Sequence, residues 1–126
     1  MTKREAAEII DRNYDCLEKS LIYSLHEKSK FSEKRFREFY DSVMCLAEDA
    51  KANGSSTETA MKITWVYQHI LKEFIYHFDK NDLSVLKKFP KNYNDYTERL
   101  DYAMDAYFRG IFVNDELFEL TFRRNK

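Results

Sequence analysis

Three residues with metal-ligating side chains stand four apart on one stretch of the chain: His69, Glu73 and His77. Imidazole and carboxylate are ordinary ligands for zinc, iron and manganese, and the interior of a helical bundle is a common place for them. On a helix the three climb one side. The stripe drifts by about 40° at each step, however, so they do not readily converge on one ion. A di-iron bundle would repeat Glu-x-x-His on two helices, a pattern this chain lacks. The remaining histidine, His26, is the available fourth group. A metal-binding bundle using His69, Glu73 and His77 is therefore the first alternative to a chain expected to hold no metal and no cofactor.

Other chemistry finds less footing. Nucleophilic catalysis needs a nucleophile, a nearby base and a third group that orients it. The serines gather at helix caps and turns, and nothing local to Cys16 or Cys45 would depress a thiol pKa. Asp95, Glu98, Asp101 and Asp105 form an acidic strip. It lacks the turns and carbonyl ligands of a calcium loop and reads as a solvated helix face. Lys28, Lys30, Lys34, Arg35 and Arg37 cluster near Phe31 and make nucleic-acid association the second alternative. Glu27, Glu33 and Glu38 dilute that cluster, and a formal net charge of −1 gives no general attraction to nucleic acid or anionic membrane. Two glycines and one proline cannot build a phosphate-cradling loop or a dinucleotide fingerprint. Neither a nucleotide nor an enzymatic activity is expected.

The same scarcity of glycine and proline points to helices as the elements that carry these residues. The 126 residues fit one domain, 1–126, and 44% hydrophobic with 16% aromatic content predicts a core of large rings. No apolar run reaches the ~20 residues of a membrane-spanning helix, and the N-terminal residues show no signal-peptide core. Two cysteines without metal-type spacing complete the expectation of a reduced, cytoplasmic protein with no membrane partner.

Hydrophobic periodicity predicts a first helix over about 3–28, opened by a Thr2–Glu5 capping box. Its main face is Ala6, Ile10, Tyr14, Leu17, Leu21 and Leu25, and a thinner line of Ile9, Cys16 and Tyr23 recurs every seven residues. A second helix starts after Ser32 and ends at Asn53-Gly54. A third runs over 57–78 behind a Ser55–Glu58 box, and a fourth runs from about 92–94 to 109, closed by Gly110. Short extra helices are expected at about 80–88, centred on Leu83–Lys88, and in a C-terminal arm at about 114–123 carrying Leu117, Phe118, Leu120 and Phe122. The predicted fold is all-α, an antiparallel four-helix bundle with these additions.

The third predicted helix has apolar residues on two faces. Ala60, Ile63, Tyr67, Ile70 and Phe74 make a core stripe that ends at His77 and Phe78. Trp65, His69, Lys72 and Tyr76 lie on roughly the opposite side. Trp, Tyr and His are favoured at protein–protein contacts, and a lysine stem can lie between such rings. Either the C-terminal arm or a neighbouring helix covers this face, or a partner does. The functional expectation is a non-enzymatic regulator, inhibitor or immunity-type protein that binds another protein or a second copy of itself. The residues expected to do so are Trp65, His69, Lys72 and Tyr76, with Ile9 and Tyr23 behind them.

Overall fold

The computed structural model describes residues 1–81, 83 and 85–113. They form five α-helices: α1 (Lys3–Tyr14), α2 (Leu21–Glu27), α3 (Glu33–Asn53), α4 (Thr57–Phe78) and α5 (Tyr93–Arg109). The expected C-terminal arm lies outside the described residues.

Helix α1 starts as its capping box requires, with the Thr2 hydroxyl accepting from the Glu5 N–H at 3.1 Å. It does not continue to residue 28. Asn13, 1% exposed, donates to the Ile9 carbonyl at 2.9 Å and accepts from the Ile22 N–H at 3.1 Å. Ser20 donates to the Leu17 carbonyl at 2.7 Å and caps α2 by accepting from the Tyr23 N–H. Two short polar side chains thus take over backbone groups that a continuous helix would pair itself. Cys16 and Lys19 occupy left-handed conformations, at φ 53° and 65°, in the bend. Leu17, expected in the core, swings out to 54% exposure. The Ile9–Cys16–Tyr23 line also dissolves as a helical stripe, because its members now lie on α1, in the bend and on α2.

Helix α3 runs between α1 and α5, and buries Phe36, Phe39, Val43 and Leu46. Gly54 ends it at φ 86°, with its N–H on the Ala50 carbonyl. Helix α4 has the predicted bounds, but its cap is Ser56 instead of Ser55, accepting from the Thr59 N–H at 3.1 Å. It packs on α1 and α2 and touches α5, burying Ile63, Val66, Ile70 and Phe74. Gly110 closes α5 in the left-handed conformation at φ 67°.

The helix expected within 80–88 is absent among the described residues. The segment instead pairs with the turn before α3: Phe31 N–H donates to the Lys87 carbonyl at 2.9 Å, and Lys87 N–H to the Ser29 carbonyl at 2.8 Å. Backbone groups bonded to residues 29 and 31 are not available for an i→i−4 ladder. Leu86, 3% exposed, pins the segment to the core, its N–H donating to Nδ1 of His77 at 2.9 Å. Phe31 collects the rings of Phe36, Phe74, Phe89 and Tyr96 around it, with centroids 5.0–6.5 Å away.

Candidate functional site

Helix α4 holds every residue of the expected aromatic face except Ile9 and Tyr23, and it keeps them in order along one side. Trp65 is half-buried. The Tyr14 ring of α1 meets it edge-on at 5.2 Å, and the His69 imidazole stacks on it at 3.6 Å. The Nδ1–H of His69 donates to the Trp65 carbonyl at 2.9 Å, which fixes the ring against the indole. Lys72 is exposed, and Tyr76 is 40% exposed. α1 therefore covers part of Trp65, while the rest of the face points outward.

Two residues that sequence reasoning passed over enlarge this surface. Met61 is 45% exposed and Ile75 65% exposed. Met61, Gln68 and Ile75 stand seven apart, so they fall on nearly the same line of the helix as Lys72. That spacing was the available signal, masked by the stronger inward stripe. Near the start of α4 the side chains of Ala60, Met61, Thr64, Trp65 and Gln68 frame an open, largely apolar depression of about 390 Å³.

The metal stripe does not assemble. His69 is committed to the Trp65 carbonyl, and Glu73 lies 3.4 Å from Nδ1 of His26 on α2. His77 accepts from Leu86 N–H and lies 4.0 Å from the Phe89 ring. Among the described residues no group of three His, Cys, Asp or Glu side chains is placed to hold a metal ion. The acidic strip is tied into the surface in a similar way: Asp101 accepts from the Tyr67 hydroxyl at 3.0 Å, and Asp105 pairs with Arg109 at 3.5 Å.

Cys16 is half-buried. Burial pushes its thiol pKa up, and the Glu27 and Glu73 carboxylates push it further, so the nucleophilic thiolate is disfavoured. Tyr96, packed between Phe31 and Phe36, is pushed up to about 12, mainly by burial and then by the charge of Glu33. Arg99, 2% exposed, donates from Nη1 to the Tyr40 hydroxyl at 3.3 Å, with its guanidinium 5.5 Å from that ring. An arginine on the apolar stripe of α5 has no periodic signature, and sequence reasoning missed it.

In the basic cluster, the two arginines are neutralised locally. Arg35 pairs with Glu38 and Arg37 with Glu33, each at 2.9 Å. Of the lysines, Lys28 and Lys34 are exposed and Lys30 is half-buried.

No helix of the described residues is long and apolar enough to cross a membrane. Comparison with protein-family models, curated proteins and solved structures finds no match to this chain.

Proposed function

We propose that this chain is a non-enzymatic, cytoplasmic binding protein that docks another protein, or a second copy of itself, on the outer face of α4. In the same reading its helices make an antiparallel four-helix bundle, with α1 and α2 together supplying one member. The observation that carries the proposal is that one side of α4 exposes apolar side chains near both its ends, Met61 at the first and Ile75 and Tyr76 at the other. From Met61 to Tyr76 it spans about 22 Å. Met61, Ile75 and Tyr76 stand out beside a half-buried Trp65. Aromatic residues and methionine are enriched where proteins meet. The Trp65–His69 stack supplies a pre-ordered aromatic anchor, and pre-ordering lowers the entropic cost of association. A binding role is also favoured over a catalytic or metal-dependent one by the engagement of His69, His77 and Glu73 elsewhere.

Affinity capture from the native host, run beside the solution mass of the purified chain, tests the proposal. The wild type is expected to retain a partner, or to run as a dimer. A double variant Ile75→Asp, Tyr76→Ala is expected to lose that association and keep its thermal midpoint at low protein concentration. Equal association by wild type and variant would overturn the reading. So would unfolding of the variant, because the face would then be core.

A further inference from the structure

We propose that the end of the molecule where Ser29 and Phe31 pair with Lys87 is a docking surface for an anionic lipid bilayer. The inference starts from a juxtaposition that only the fold creates. The backbone pairing of Lys87 with Ser29 and Phe31 joins two lysine-rich stretches far apart in sequence. Lys28, Lys30 and Lys34 come from one side, and Lys87, Lys88 and Lys91 from the other. None of the six forms an ion pair among the described residues, since Glu33 and Glu38 are taken by Arg37 and Arg35. Residues 27–38 and 79–95 together hold nine basic and six acidic residues, so this end is net positive on a chain of net charge −1. Of the remaining acids, Asp95 accepts from Asn92 and Asp79 from the Asn81 N–H. Charge more than a Debye length of about 8 Å away is largely screened, so the local excess governs contact with a charged surface.

The second observation is apolar. Leu83 is 98% exposed, Val85 60% and Phe78 53%, all between or beside the lysines. The segment after them is anchored. Leu86 is buried and bonded to His77, and Phe89 packs on His77, Phe78 and Tyr93 at 4.0–5.7 Å. Exposed leucine and valine side chains thus stand in the same segment as Lys87 and Lys88, which the backbone pairing joins to the stretch of Lys28 and Lys30.

The combination selects among anionic partners. A nucleic-acid backbone attracts the lysines but leaves Leu83 and Val85 in water. A protein interface core is depleted in lysine. A bilayer satisfies both classes, with apolar tips entering the acyl boundary and lysine stems lying along it as their ammonium groups meet lipid phosphates. Each lysine near an anionic leaflet strengthens binding by about fivefold. Leu83, Lys87 and Lys88 lie outside α4, so variants there test this surface without touching the Met61–Ile75 face, and either proposal can fail without the other.

Co-sedimentation with phosphatidylcholine vesicles containing phosphatidylserine, against phosphatidylcholine alone, tests the inference. The wild type is expected to bind the anionic vesicles strongly and the neutral ones weakly. Lys87→Glu with Lys88→Glu is expected to lower anionic binding by at least tenfold. Leu83→Asp is expected to lower it severalfold while leaving the far-ultraviolet circular dichroism unchanged. Absence of binding to the anionic vesicles overturns the proposal. It is equally overturned if Leu83→Asp binds as the wild type does, or if the chain is retained on duplex DNA or RNA more strongly than on vesicles. The last result assigns the lysines to a phosphate polymer.

Discussion

The two apolar faces of α4 are built from similar residues and meet opposite fates. Inward, Ile63, Val66 and Ile70 are fully buried and Phe74 is 4% exposed. Outward, Met61, Ile75 and Tyr76 stay between 40% and 65% exposed. Isoleucine appears on both sides, so residue type does not decide which face is core. Neighbours decide it. α1, α2 and α5 converge on one side of the helix, and on the other, among the described residues, the Tyr14 ring meets part of Trp65. An apolar stripe is a demand for cover, and among the described residues that demand is met on one side of α4.

The sharpest way to break this contrast is to truncate the inner face. Phe74 lies 5.1 Å from the Phe89 ring and 6.0 Å from Phe31, in the cluster that joins α4 to the turn before α3 and to residue 89. Phe74→Ala removes a ring from a site too well packed to collapse, and such changes cost about 3–5 kcal/mol. Urea unfolding followed by circular dichroism should show a loss in that range. A loss below about 1 kcal/mol would mean that the inner face is no better packed than the outer one.

Helix bounds were legible in the sequence where the signal is local. The Thr2 cap, Gly54 and Gly110 sit at helix ends as expected, and α4 spans the predicted 57–78. The bend between α1 and α2 was not legible, because hydrophobic spacing runs through it. Asn13 decides it by bonding the Ile22 N–H nine residues on, a contact no periodicity encodes. The extended segment at Leu86–Lys87 was missed for a related reason. Its stability comes from Ser29, Phe31 and His77, all distant in the chain. At the candidate site, the order of Trp65, His69, Lys72 and Tyr76 on one side of a helix followed from spacing. What covers them depends on helix packing, which spacing does not contain.

Trp65 lies between the extremes and should behave so. Its ring is held edge-on by Tyr14 and face-on by His69, yet it is only partly buried. Trp65→Ala removes one edge-to-face pair, worth about 0.5–1.5 kcal/mol beyond area, together with part of a large apolar surface. A total of about 1–2 kcal/mol is expected by denaturant titration, with Trp65→Phe recovering most of it. A cost matching that of Phe74→Ala would place the indole in the core and remove it from the docking face.

Ile75→Ala carries the smallest expected effect and the clearest consequence. At 65% exposure the side chain gives up little solvent contact on folding, so truncation forfeits little transfer free energy and leaves no cavity. Alanine is also the stronger helix former, which offsets part of what is lost. The net change should stay within about 0.5 kcal/mol, the range of an ordinary surface substitution. The measurement has to be made across protein concentration. A chain that self-associates through this face would show Ile75→Ala as neutral when dilute and destabilising when concentrated, because association stabilises the folded form by mass action. A neutral result at every concentration leaves the face free for a different protein. A loss above about 1 kcal/mol at the lowest concentration would mean that the chain itself covers Ile75, and the contrast between the two faces of α4 would collapse.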